Sequence, residues 1–287
     1  MNTVDLTPQG LVENIEDLVT LPEVALRIAR MVEDPTSSAT DIGREISHDA
    51  ALTVRLLRIA NSPVFGQQGK ITTISRAITV LGVRQVRDLT VGITAVHTFD
   101  GIANELVTMA SFWRHSVLCA VAADQIAARR GARRGDTPFV AGLLHDIGQL
   151  VIFNRVPELA REALLMSADS VEDQGLHLCE QNVIGFDHAA VGAALARGWG
   201  LPPPLRACIE FHHQPEAARE YPAEVAAIHI ANSVAVLAEI GSSDLRDAPA
   251  ISPWALRQAK LDDATIAEIA AQTQRTAAEV LPLMVAA

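Results

Sequence analysis

His145 and Asp146 stand side by side in the apolar run TPFVAGLLHDIGQLVIF; His115 precedes them in SFWRHSVLCA, and His188 and the pair His212-His213 follow. Imidazole nitrogens and carboxylate oxygens are the donors that bind zinc, iron and manganese. Five histidines and one aspartate are enough for one or two such divalent ions. A bound ion would either activate water against a phosphoryl centre or tie helices together. Taken singly, each histidine reads as a hydrogen-bonded core residue on an apolar helix, and only the ordered set points to a metal. His48, His97 and His177 have no companions in the sequence and are given no role. A second group with chemical potential is a basic island between Ala51 and Thr90, where Arg55, Arg58, Lys70, Arg76, Arg84 and Arg87 face the single acid Asp88. Arg55, Arg58, Arg76, Arg84 and Arg87 are candidate contacts for phosphates or for an acidic partner; the competing reading is a solvated helix face.

The elements that must position these residues are helices. In LPEVALRIARMVEDP the apolar Val24, Ile28, Met31 and Val32 recur at helical spacing behind Pro22. SATDIGREISHDAALTVRLLRIANSP predicts two short helices, the second capped by Asp49 and ending near Asn61. ISRAITVLGVRQVRDLTVGITAVHTF predicts two more, divided at Gly82. A longer helix is expected from about Glu105, through His115, to the loop RRGARRGD. Thr137 and Pro138 then open a helix that carries His145 and Asp146, whose side chains would diverge by about 100° and meet a metal at a seam between helices. DHAAVGAALARGWG, PLRACIEFHH and PAEVAAIHIANSVAVLAEIG follow as helices. Two amphipathic pieces complete the tail from Ser252 to Leu283, with Ser252 and Pro253 as a start signal. Period-two alternation is missing, so strands should be scarce.

The fold expected is therefore all-α, with two packed lobes divided near Asp100 to Asn104. The first twenty residues form an N-terminal extension, and residues 243–287 are expected to pack on the second lobe. With 49% hydrophobic and 20% charged residues, nothing suggests disorder. The start lacks the pattern of a signal peptide, and no uninterrupted apolar run approaches the roughly 20 residues of a membrane span. A soluble, cytoplasmic protein without membrane contact is the expectation. Cys119, Cys179 and Cys208 are too scattered for a disulfide framework and read as core residues. A net charge of −11 argues against general nucleic-acid binding. Trp113, Trp199 and Trp254 read as packing anchors, and Phe65 as a loop residue that packs home.

His115, then His145-Asp146 in LLHDIG, then His188 and His212-His213 together resemble the HD superfamily of metal-dependent phosphohydrolases, and the YP of Tyr221-Pro222 resembles its HD-GYP branch. Where that pattern has lysine after HDIG the chain has Gln149; where it has HHE the chain has Gln214; and Glu220 replaces the glycine before YP. The superfamily's last aspartate corresponds to Asn232. A neutral amide in place of a carboxylate removes charge from a metal site, and the missing lysine removes a cation that would stabilise a phosphoryl transition state. LPEVALRIARMVEDP, LLRIANSP and ISRAITVLG resemble the HDOD domain, the HD-related output domain of bacterial signalling proteins, over about residues 21–242, with lobes at about 21–100 and 105–242. This resemblance implies an all-helical, HD-like fold and a regulatory role without hydrolysis.

Three functions compete. The leading one is a non-catalytic signalling module that binds a protein partner or a cyclic dinucleotide, with a degenerate metal site and no catalytic residues. The second is a surviving metal phosphohydrolase acting on a cyclic dinucleotide or nucleotide. The third is DNA binding through a helix-turn-helix reading of ATDIGREISHDAALTVRLLR, with Thr53, Arg55 and Arg58 on the second helix; the burial demanded by Leu52, Val54, Leu56 and Leu57 weakens it.

Overall fold

The computed structural model describes residues 6–13, 21–65, 70–100, 106–131, 138–169 and 175–285. Every regular element among them is helical. The first half holds α1 (Pro8–Val12), α2 (Glu23–Glu33), α3 (Ala39–Ser47), α4 (Ala50–Ala60), α5 (Ile74–Leu81) and α6 (Val83–Asp100). Local chemistry sets their ends. Ser38 and Asp41 form a reciprocal capping box on α3, Asp49 caps α4 through Leu52 N–H, and Thr73 caps α5. Gly82 lies between α5 and α6 at φ 90°, a conformation that disfavours any side chain. Asn61 closes the turn after α4 by exchanging two hydrogen bonds with the backbone of Ile71, 2.7 and 2.8 Å long.

The second half begins with α7 (Met109–Arg129), capped by Thr108. There follow α8 (Pro138–Leu144), α9 (Ile147–Arg155), α10 (Pro157–Asp169), α11 (Leu176–Ile184), α12 (His188–Gly198), α13 (Pro203–Phe211) and α14 (Pro222–Ile240). The tail supplies α15 (Pro253–Ala259), started by Ser252 through Trp254 N–H, and α16 (Asp263–Val285). Of the expected lobe division, Asp100 ends α6, while residues 101–104 and the Thr137 cap fall outside the described residues.

One continuous apolar core runs from Leu11 to Met284. The alanine-rich face of α14 lies against α7, which also packs on α8 and α16. By length and composition α14 could cross a membrane, yet 61% of its most apolar window is buried inside the fold. Two packing relations differ from a simple two-lobe reading. In α1, within the expected N-terminal extension, Leu11 is fully buried and the helix packs on α12 and α9. α16 packs on α7 and α14, and also on α4, α6 and the 3-10 turn Pro63–Phe65. Phe65 packs inward, edge-on to Phe139 at 5.7 Å. The three cysteines are buried, and none of them forms a disulfide.

The basic island does not form one surface. Arg58, Arg76 and Arg84 are exposed, whereas Arg55 is half-buried in a groove with Asp49 and His97. Arg87 corrects the sequence reading: it is buried, with Nη1 2.6 Å from Glu33 Oε1 and Nε 2.7 Å from Asp88 Oδ1. Its charge is consumed inside the fold, because a buried guanidinium needs carboxylate partners. On α4 the Thr53 hydroxyl donates to the Ile46 carbonyl, 3.1 Å away.

Candidate metal centre

The helix expected to carry His145 and Asp146 is broken at that pair. α8 stops at Leu144, α9 starts at Ile147, and Asp146 occupies the N-cap position without capping the helix. Its carboxylate is thereby free to point elsewhere. Close backbone approach fixes the direction. A Cβ on Gly148 would lie 2.0 Å from the His188 carbonyl oxygen and 2.5 Å from Gly192 N, so only glycine lets α9 lie against α12. Gly142 plays the same part against the backbone of α7 at Ala120.

These approaches gather the imidazoles around Asp146. Oδ1 of Asp146 lies 3.2 Å from His188 Nε2 and 3.4 Å from His212 Nε2, and Oδ2 lies 3.2 Å from His145 Nε2 and 3.8 Å from His115 Nε2. His213 Nε2 is 2.8 Å from His188 Nε2. All six histidine and aspartate positions expected from the sequence thus meet in one place, from α7, the α8–α9 turn, α12 and the end of α13.

Three of the rings are oriented from behind. Nδ1–H of His145 donates to Gly142 O at 2.8 Å, that of His212 to Ile209 O at 2.8 Å, and that of His188 to Glu180 Oε2 at 2.6 Å. Each bond leaves Nε2 facing the cluster, as a ligand must. Glu180 also accepts the backbone N–H of His188 at 2.8 Å. His145 Nε2, His212 Nε2 and Asp146 Oδ1 are buried and make no aligned hydrogen bond. They aim at a common point rather than at one another. Bonds of about 2.1 Å to one ion place neighbouring ligand atoms roughly 3 Å apart, and the spacings of 2.8, 3.2 and 3.4 Å match this. The donors therefore fit a divalent ion of the zinc, iron or manganese kind, with Asp146, His188, His212 and His213 as one ligand group and His115, His145 and Asp146 as another.

The charges follow from this crowding. Burial would raise the Asp146 carboxyl, but His145 beside it, with the imidazoles of His188 and His212 close by, holds it well below the usual range. Burial disfavours a charged His188, yet Glu180 and Asp146 push its pKa up to about 10. Burial takes His212 down to about 4, and burial plus the neighbouring imidazoles takes His213 well below its ordinary value. Ion binding here must expel protons.

Glu180, on α11, is the residue that sequence reasoning missed. His177, read as having no companion, is corrected: its ring stacks on His213 with centroids 3.9 Å apart. His229 is a further link. Its Nδ1–H donates to His212 O at 2.7 Å, and its Nε2 accepts Ser252 N–H at 3.0 Å. His115 differs from the other rings, for its Nε2–H donates to Asn232 Oδ1 at 3.0 Å while Nδ1 lies 3.5 Å from Glu239 Oε2. The cluster forms the floor of a cleft of about 920 Å³, which Gln149 and Asn232 also line and which Leu245, Pro249 and Ile251 border.

An all-helical fold with a His-Asp turn and four further histidines around one carboxylate defines an HD-like protein. Residues 18–215 match the HDOD domain, and the chain belongs to the HDOD family. It is similar, at 26% identity and a TM-score of 0.73, to a protein of Shewanella amazonensis SB2B provisionally called a phosphohydrolase, over 96% of this chain and 97% of that one. A Geobacter sulfurreducens HDOD domain protein of unknown function is also similar, with 26% identity, a TM-score of 0.67 and coverage of 95% and 93%. An uncharacterized protein of Treponema pallidum (strain Nichols) is 30% identical over 226 residues; that stretch is 78% of this chain and 43% of the relative, so the chain spans less than half of that protein.

Proposed function

We propose that this chain is a non-catalytic signalling module in which a divalent ion, held by Asp146, His188, His212 and His213, ties helices together while the protein acts by binding a signalling partner or a cyclic dinucleotide. The observation that carries this reading is the His115–Asn232 hydrogen bond of 3.0 Å. It spends the fifth imidazole on a neutral amide where a second ion would need a carboxylate. The cleft supports the same reading. Its lining includes the neutral Gln149, Asn232 and Ser233, and its arginine, Arg246, is chelated by Asp244 through contacts of 2.5 to 3.1 Å. Among the described residues that line it, no lysine and no unpaired arginine stands ready to balance charge on a phosphoryl group. With Arg87 excluded, half-buried Arg55 and exposed Arg58, Arg76 and Arg84 are the partner contacts that remain in this reading.

The competing hydrolase reading draws on the intact four-ligand group and on the phosphohydrolase description of the Shewanella relative. Elemental analysis of protein purified without chelators, with the same sample assayed against cyclic-di-GMP and bis(4-nitrophenyl) phosphate, decides between them. The expected result is one ion per chain, lost in His212→Ala, with saturable cyclic-di-GMP or partner binding and no turnover of either substrate. Turnover that vanishes in both His145→Ala and Asp146→Ala would overturn the proposal and make the protein an enzyme.

A further inference from the structure

A second pocket, of about 360 Å³, opens beside α12, α13 and the 3-10 turn Pro215–Ala217. It shares no lining residue with the metal-centre cleft. Three arginines line it: Arg197, Arg206 and Arg219. Arg197 is engaged, with Nη1 3.3 Å from Glu210 Oε2. Arg206 is half-buried, and its Nε is shut away from solvent with no acceptor. Arg219 stands exposed at the rim and has no ion-pair partner among the described residues. Phe211 supplies apolar wall, and Glu210 and Glu220 complete the lining.

This arrangement is anomalous for the chain as a whole. Acids outnumber bases 34 to 23, yet three arginines and only two glutamates line this pocket, and neither Arg206 nor Arg219 makes an ion pair among the described residues. A buried N–H of a charged group is almost always given an acceptor, because leaving it dry forfeits its hydration. Like charges in one recess also repel. That repulsion falls when an oxyanion enters, since the exposed ends of a guanidinium fork match the oxygens of a phosphate.

We infer that this pocket is an anion site for the phosphate group of a small ligand. Arg206 is its fixed floor donor, Arg219 closes from the rim, and Arg197 is held in place by Glu210. The flanking Glu210 and Glu220 repel any anion, a dianion most, so preference for phosphate over a carboxylate rests on its oxygens engaging two guanidinium forks at once. The inference is independent of the metal centre and stands or falls apart from the signalling proposal.

The test is an NMR titration that follows the arginine Nε–Hε signals of the full chain as inorganic phosphate or pyrophosphate is added at constant ionic strength, with acetate as the control. A saturable shift of the Arg206 signal is expected with both phosphates, and none with acetate. Arg206→Gln should abolish it. Arg219→Gln, on the exposed rim where folding is not at stake, should weaken it at least about tenfold. His212→Ala should leave it unchanged, which separates this site from phosphate bound at a metal. A shift that never saturates, that acetate reproduces, or that survives Arg219→Gln undiminished would overturn the inference.

Discussion

Replacing Gly148 with alanine should loosen the metal centre from behind. The added methyl carbon would sit 2.0 Å from the His188 carbonyl oxygen, 2.5 Å from Gly192 N and 3.0 Å from the His188 carbonyl carbon. Contacts below 3.0 Å are not tolerated, so α9 and α12 must part by at least 1.0 Å (3.0 − 2.0). All the near atoms are backbone, so no rotamer change relieves the clash. Overpacking of this kind costs about 3 kcal/mol, which in a domain of this size lowers Tm by roughly 6–12 °C. Because Asp146 rides on the start of α9 and His188 opens α12, the same displacement stretches their 3.2 Å contact. Affinity for manganese or zinc should fall with stability. Thermal unfolding followed by circular dichroism, with a competition titration for the ion, measures both. Gly198→Ala is the control, since a Cβ there meets nothing within 4 Å, and it should change Tm by no more than about 1–2 °C. A Gly148→Ala protein with unchanged Tm and unchanged ion affinity would refute the argument that glycine packing sets the site.

Three other outcomes are expected. Glu180→Gln removes the charged acceptor behind His188 and should weaken ion binding about 10–100-fold, measured by the same competition titration; unchanged affinity would deny Glu180 its orienting role. Asp124 is pushed up to about 7 by burial, so its folded form favours the proton. Its contribution to stability is whole below the unfolded carboxylate value of 3.8 and is lost as pH rises through about 7. Asp124→Asn should therefore raise stability by about 2 kcal/mol at pH 8 and have little effect at pH 4, in urea unfolding at each pH; equal effects at both would be contrary. Arg87→Glu should cost about 3–5 kcal/mol, because Asp88 is left buried without its cation, whereas Arg84→Glu should change stability by less than about 0.5 kcal/mol and diminish partner capture. Equal destabilisation by the two changes, in denaturant unfolding, would show that the ion pair with Glu33 and Asp88 is not what holds Arg87.

The helices were legible because their ends are written in local chemistry. Asp49, Gly82 and Ser252 act on backbone groups two to four residues away, within the reach of a sequence window. The set of six metal-type residues was legible as an order, and the structure supplies the convergence. What escaped was set by distant partners. The break at His145-Asp146 lies in an unbroken apolar pattern, and the packing of α9 on α12 sets the direction of the chain there. Glu180 reads as a surface residue of α11 until α12 folds back to bring His188 over it. Arg87 reads as part of a charged face because Glu33, its partner, lies 54 positions earlier. His177 lacks neighbours in sequence and finds one in space.

The placement of α1 and α16 bears on how the protein is made. A chain leaves the ribosome from its N-terminus, yet α1 packs on α12 and α9, and α16 packs on α4, α6, α7 and α14. The N-terminal helices must wait for the last helix before their apolar faces are covered, and such long-range closure slows folding. A fragment cut to residues 18–215 would lack α14, α15 and α16 together with α1, leaving the face of α7 that receives α14 and α16 open to water. During synthesis that face stays uncovered until α14 and α16 have been made.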